Sequence, residues 1–252
     1  MIRIQADDIK VYYPVLGNTP AQKVETAAGN RSESWGRIVS GKKPKIAALE
    51  GITLDVGPGS RIGILGRNGS GKTTLLRTLG GIITPNSGTL TVSGEASGIF
   101  NLRQGMKFES SGRRNILLRG LAIGKRPADI RDRMAIIEDF CGLGEFLDLP
   151  VHTYSSGMVM RLSFAVAVAF DPDIMLLDEW IGTADIGFRD RAMARLQAMA
   201  EADRIFMLAS HNLKLLEETC EEAILMHQGK ILDRGPVASV RQEFKKLLKM
   251  DP

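Results

Sequence analysis

The residues best suited to chemistry lie in the run Gly66-Arg67-Asn68-Gly69-Ser70-Gly71-Lys72-Thr73, which fits the spacing GxxxxGK[ST]. It comes after an apolar stretch, Arg61–Leu65, that reads as a buried strand, and it leads into a helix expected from about Lys72. Each residue type has a use there. Glycines let the backbone curl until successive N–H groups face one anion, and the positive end of the next helix adds to their attraction. Lys72 supplies a point charge to β- and γ-phosphates, and the Thr73 hydroxyl is an oxygen ligand for Mg²⁺. By itself this run implies nucleotide binding and no more, because kinases, GTPases and many ATPases share it.

A second group narrows the chemistry. Ile174-Met175-Leu176-Leu177-Asp178-Glu179 reads as an apolar strand ending in adjacent carboxylates. Asp178 is placed to hold Mg²⁺ opposite Thr73, directly or through water. Glu179 is then placed to orient or deprotonate an attacking water, the positioning that phosphoryl transfer to water demands. A third group, Tyr154-Ser155-Ser156-Gly157-Met158, reads as a helix start with Ser155 or Ser156 as N-cap. Its position makes it informative: Ser155 stands 23 positions ahead of Asp178, with Arg161 just inside the helix and Pro172 just before the acidic strand.

The elements that must position these groups can be read around them. Residues 2–13 alternate apolar and polar loosely, as a strand ending in Tyr12-Tyr13. Residues 14–44 break the pattern with Pro14, Gly17, Pro20, Gly29, Gly36, Gly41 and Pro44, and read as a long loop or insertion. Trp35 and the basic Lys42, Lys43 and Lys45 stand out there, either as a solvated loop with one anchoring aromatic or as a partner contact. Ala47–Val56 reads as a strand and Gly57-Pro58-Gly59 as a turn. Short strands are expected over 89–100 around Gly94, mostly helix over 113–149 with a break near Pro127, and helix over 157–170. Helix, strand and helix come next through 188–219, then a hairpin around Gln228-Gly229 and an amphipathic helix from about Val237. Strands alternating with helices predict an α/β fold with a parallel sheet.

Composition excludes several classes. The 252 residues, 44% apolar and 25% charged, describe a folded chain able to bury a full core, as one large domain or as a core with a lobe. A net charge of +4 without a basic run or basic-aromatic interleaving predicts no nucleic-acid partner. Cys141 and Cys220 are the only cysteines, far apart and without a nearby His, so neither a disulfide nor a cysteine metal site is expected and a reducing cytoplasm fits. The N-terminus lacks the apolar segment of a signal peptide. The longest apolar stretch, about Phe164–Phe170, is far below the roughly 20 residues a membrane helix needs. The acids Glu217, Glu218, Glu221 and Glu222 read as a solvated helix face.

Together these motifs resemble the nucleotide-binding subunits of ABC transporters, whose signature loop, commonly LSGGQ, precedes the acidic strand by this same interval. The resemblance covers about residues 45–235, with a weaker match at 2–13. It implies an α/β P-loop NTPase core with a mainly parallel sheet, an N-terminal antiparallel β subdomain and an α-helical signature subdomain over about 101–165, all in one nucleotide-binding domain spanning 1–252 with a C-terminal helix over about 236–252. It also implies roles. Gly66 through Thr74 resemble the phosphate loop, and Ser155, Ser156 and Gly157 the signature that meets ATP. Asp178 resembles the Mg²⁺ aspartate and Glu179 the catalytic glutamate. Asp185 falls where the family has a partner-contacting acid, and His211, after the strand Arg204–Leu208, resembles the histidine on the γ-phosphate. Tyr13 matches the aromatic that stacks on adenine, with Tyr12 as its near rival. The family's glutamine loop falls near 100–106, where Asn101 and Gln104 are both candidates. The signature departs from the usual pattern at Ser156 and Met158, where Gly and Gln are common.

That departure, the GRNGSGKTT loop, Ser111-Gly112-Arg113-Arg114-Asn115 and the insertion after Tyr13 resemble the branch that serves bacterial exporters of O-antigen, capsule and teichoic acid. The resemblance implies an ATP-hydrolysing subunit at the cytoplasmic face of the inner membrane, energising export of a lipid-linked polysaccharide. It implies a homodimer closed around two ATP with Mg²⁺, and two copies of a polytopic permease that makes most of the glycan contacts. A subunit for another substrate and a soluble, non-transport ATPase are the alternatives. Some O-antigen members carry a further C-terminal sugar-binding domain, so the chain is expected to be a capsule-like short form or a truncated one.

Overall fold

Strict alternation fails in the first strand for a visible reason. Ile4, Ala6, Ile9 and Val11 are buried, so the inward set slips by one residue after Ala6. Asp8 takes up the slip with φ of 47°, and the pairing with the neighbouring strand shifts register between Ala6 and Ile9. This is a β-bulge, which loosens the apolar-polar alternation on either side of it.

The computed structural model describes residues 1–14, 37–39, 45–100, 105–178, 186–200 and 203–250. Glu179, Asp185, Asn101, Gln104, Trp35, Lys42 and Lys43 lie outside the described residues. Strands β1 (Arg3–Pro14), β2 (Arg37–Val39), β3 (Lys45–Val56) and β5 (Ser87–Ser93) form one antiparallel sheet in the order β2-β3-β1-β5. The short strand Arg37–Val39 falls inside the segment expected to be loop. Three residues are too few to show a period, and Gly36 and Gly41 flank them.

The second sheet runs β10-β9-β4-β8-β7-β6. It is built from β4 (Arg61–Leu65), β6 (Ala96–Ile99), β7 (Ile174–Asp178), β8 (Ile205–Ala209), β9 (Glu222–His227) and β10 (Lys230–Pro236). All its pairings are parallel except β9 with β10. The central strands are buried on both faces, and parallel strands of that kind read as unbroken apolar runs. Toward one face, Ile62, Ile64, Leu176 and Met207 pack on α1 (Lys72–Leu79) and on the antiparallel sheet. Toward the other, Leu65, Leu177, Leu208 and Leu225 pack on α4 (Ser156–Ala169), α5 (Ile186–Ala200) and α7 (Val237–Met250).

A third apolar cluster joins α2 (Gly112–Ala122), α3 (Pro127–Cys141) and the outer side of α4. The branch-like Ser111–Asn115 motif organises this layer. Ser111 caps α2 by accepting from the Arg114 N–H at 3.3 Å. Asn115 is fully buried, accepts from the Lys107 N–H at 2.8 Å and donates to the carbonyls of Lys107, Ser110 and Ser111. Arg113 pairs with Asp148 at 2.8 Å and with Glu138. Arg119 spans to α4, donating to Ser163 Oγ at 3.2 Å, and burial lowers its guanidinium to about 10.

The four acids expected on one helix face are divided by the fold. Helix α6 (Leu213–Thr219) ends where Cys220 turns extended, with φ of −119° and ψ of 144°. Glu217 and Glu218 stay on the helix, against Arg241 and Lys214. Glu221 instead reaches Arg61, and Glu222 opens β9 against Arg234 at 3.0 Å. Among the described residues no helix is long and apolar enough to cross a membrane.

Candidate functional site

Strand order brings the motifs together. Strand β8 lies between β4 and β7, and its last residue, Ala209, pairs with both Ile64 and Asp178. The three strands therefore end at one level, and the chain emerges from each of them on the same edge. Ligands of open parallel sheets bind at such carboxyl ends. From β4 emerges the Gly66–Gly71 loop, and from β8 the segment that carries His211.

The loop curls as its composition predicts. Gly66 has φ of 154°, and a Cβ there would stand 2.4 Å from the Met226 carbonyl oxygen, so only glycine fits. Lys72 is 6% exposed, and its Nζ donates to the carbonyls of Gly66 at 2.8 Å and Arg67 at 3.1 Å. The amine is thus held under the arch of its own loop, its charge solvated by two peptide dipoles. Thr73 Oγ1 donates to Asp178 Oδ2 at 2.6 Å, joining the first turn of α1 to the end of β7. His211 Nε2 lies 3.0 Å from Asn68 Oδ1, which ties the segment after β8 to the phosphate loop.

Tyr13, Ile46, Ala48, Asn68, Gly69, Ser70, Gly71, Lys72, Thr73, Thr74, Phe100 and Asp178 line one cleft of about 560 Å³. Its phosphate-loop side is polar and its far lip, Tyr13 with Ile46 and Ala48, is apolar. Tyr12 points elsewhere, with Lys45 Nζ 5.9 Å above its ring. Gly66 and Arg67 support the cleft from behind through their carbonyls. Sequence reasoning missed Ile46, Ala48 and Phe100, which carry no motif and become neighbours only through β3 and β6. It also missed Gly229. With φ of 78°, this hairpin glycine donates its N–H to Ser70 O at 3.0 Å and accepts at its carbonyl from the Glu50 N–H at 2.9 Å.

Ser155, Ser156 and Gly157 are not among the residues lining this cleft. Ser155 is the N-cap of α4, with ψ of 162° and its Oγ accepting from the Met158 N–H at 3.2 Å; Ser156 is the first helical residue. Both serines are exposed, on a helix whose later residues Val159 to Ala169 are mostly buried. The hydroxyl of Tyr154 just before them donates to the Phe146 carbonyl at 2.5 Å. The result is a rigidly capped helix start that presents small polar residues to the outside.

Residues 49–182 match the protein family described as ABC transporter. The chain belongs to that family. It is 40% identical over 205 residues to the O-antigen export system ATP-binding protein RfbB of Myxococcus xanthus, covering 81% of this chain and 47% of that protein. It is 39% identical over 215 residues to the corresponding protein RfbE of Yersinia enterocolitica, covering 85% of this chain and 88% of the relative. The teichoic acids export ATP-binding protein TagH of Enterococcus faecalis is 35% identical over 84% of this chain, which spans about half (47%) of that relative. The fold agrees with an ATP-binding subunit of an ABC transporter, at a TM-score of 0.72 and 17% identity over 97% of this chain and 94% of that one. A dimeric ATP-binding cassette bound to ADP and Pi in a post-hydrolysis state matches at 0.73 and 17%, over 93% and 98%. As an ABC transporter family member, the chain has the expected α/β core with an antiparallel sheet beside it.

Proposed function

We propose that this chain binds and hydrolyses ATP and energises an exporter of a lipid-linked polysaccharide of the O-antigen, capsule or teichoic-acid type. The observation that carries the ATPase reading is the Thr73–Asp178 contact at the floor of the phosphate loop. A hydroxyl and a carboxylate within 2.6 Å are two hard oxygens, and they suit Mg²⁺, which takes one or two protein ligands and fills its shell with water and phosphate. Mg²⁺ bound there neutralises charge on the β- and γ-oxygens.

The chain's own residues do the rest. Tyr13 stacks on the base, and the N–H groups from Gly69 to Thr74 surround the phosphates. Lys72 trades its carbonyl partners for phosphate oxygens, and His211 reaches the γ-phosphate from the β8 side. Glu179, adjacent to Asp178, orients the attacking water. Asn101 or Gln104 links this site to the membrane partner.

Ser155, Ser156 and Gly157, outside this cleft's lining, act on the ATP of a second subunit, with Asp185 at the same contact. Two copies then close head to tail on two ATP and reopen after hydrolysis, driving two permease subunits at the cytoplasmic face of the inner membrane. The permease makes most of the glycan contacts. Relatives that export O-antigen and teichoic acids support this substrate class.

The test is Glu179→Gln: it is expected to form an ATP-trapped dimer with turnover lost, while the wild type releases phosphate without any acceptor. A Glu179→Gln chain that stays monomeric with ATP and keeps wild-type turnover overturns the assignment. Co-purification with a polytopic membrane protein, and loss of surface glycan on deletion, test the exporter reading separately.

A further inference from the structure

Helix α4 ends in an uncommon way. Its C-cap is Phe170, and the next residue, Asp171, sits in the left-handed region with φ of 49°. Glycine is the residue that adopts this position without strain. A carboxylate is unfavourable there for a second reason, because it stands at the negative end of the helix dipole. An aspartate at this point is explained by what its side chain touches.

Three guanidinium groups from three separate parts of the chain meet it. Arg195 of α5 lies 2.5 Å from Asp171 Oδ1 and also donates to the Val168 carbonyl, in the last turn of α4. Arg204, just before β8, is 3.4 Å from the same oxygen, and Arg133 of α3 is 3.6 Å from Oδ2. The four side chains are only partly exposed, between 23% and 43%. A second contact pins the other half of the same two helices: Arg161 of α4 lies over the Phe188 ring of α5 at 5.4 Å, and Phe164 meets that ring edge-on.

Two pins along helices that run the same way remove the hinge that one pin would leave. Helix α4 is about 21 Å long, with Ser155 and Ser156 at its start. Helix α5 begins at Ile186, directly after the segment that holds Glu179 and Asp185. We propose that Asp171 is a positioning residue that makes α4 and α5 a single lever, so that seating Ser155–Gly157 on the partner's nucleotide is carried to the N-terminal end of α5 at Ile186. The inference rests on the two-subunit ATP reading above.

The test compares Asp171→Asn and Arg195→Gln in the full chain; the second keeps Asp171 beside Arg204 and Arg133 and so guards against misfolding. Both are expected to bind a fluorescent ATP analogue within about twofold of wild type. Turnover is expected to fall about 10- to 100-fold, the scale of an ångström-level misplacement, and the Hill coefficient for ATP to drop toward one. Asp171→Glu restores part of the turnover. In the Glu179→Gln background, either substitution is expected to abolish the ATP-trapped dimer. If Glu179→Gln alone forms no dimer, the two-subunit reading fails. If it dimerises and both added substitutions leave dimer, turnover and Hill coefficient unchanged, the lever is refuted and the reading stands. If both variants lose nucleotide binding in proportion to turnover, Asp171 is structural only and the proposal also fails.

Discussion

Thr73 and Asp178 stand 105 positions apart in the chain and 2.6 Å apart in space. Replacing Asp178 by Asn keeps an oxygen that accepts from Thr73 but removes the charge. Asp178→Asn is therefore expected to fold normally and to bind nucleotide within a few-fold of wild type in EDTA. Mg²⁺-dependent turnover is expected to fall about 100- to 1,000-fold, as for loss of one pre-placed electrostatic group. Phosphate release across a Mg²⁺ titration, with nucleotide binding in EDTA as control, checks both halves.

The two neighbouring tyrosines can be separated by substitution. Tyr13 lines the cleft and Tyr12 does not. Stacking on a base contributes about 1–3 kcal/mol, so Tyr13→Ala is expected to weaken ATP binding by about five- to 150-fold. Tyr12→Ala, whose ring sits under Lys45, is expected to change it less than twofold. Titration with a fluorescent nucleotide reads both; equal effects would remove Tyr13 from its proposed role.

Asn115 holds the 107–111 loop onto α2 through four hydrogen bonds. Asn115→Leu leaves a buried N–H and up to three carbonyls without that partner, at about 1–3 kcal/mol for each group that finds no water. Hydrogen exchange is expected to accelerate over residues 105–122 while β4, β7 and β8 keep wild-type protection. Uniform acceleration would mean the helical layer and the sheet unfold together.

Burial pushes the Cys220 thiol up to about 12 and raises Cys141 above its ordinary 9.0. A thiol raised on folding contributes stability that is intact below the unfolded value. For Cys220 that contribution is lost as pH climbs from about 9 toward 12. Because the thiolate is the reactive form, native labelling by iodoacetamide at pH 8 is expected to be about two to three orders of magnitude slower than in denaturant. Two labels per chain should appear only after unfolding, by intact mass.

What the sequence shows depends on how local the cause is. The Gly66–Thr73 loop is legible because a contiguous run makes the curl, and β4, β7 and β8 are legible because burial on both faces leaves unbroken apolar runs. A serine cap at Ser155 or Ser156 is legible because its acceptor oxygen serves an N–H three residues on, and the structure gives the role to Ser155. Asp171 is not, since its arginines lie 24 and more positions away without periodicity. The division of Glu217 and Glu218 from Glu221 and Glu222 hangs on one extended residue, Cys220, that nothing nearby announces. Ile46, Ala48 and Phe100 carry no chemical motif, and only strand pairing makes them walls of the cleft. Asp185, Asn101 and Gln104 rest on resemblance, and Glu179 on its place beside Asp178 as well; all four lie outside the described residues.

Gly229 is bonded through its N–H to Ser70, in the loop, and through its carbonyl to Glu50 of β3, the strand that runs back to Ala48 and Ile46. A Cβ at residue 229 would stand 2.8 Å from the Ala48 carbonyl oxygen, so a single glycine holds the phosphate loop and the apolar lip of the cleft to the same hairpin.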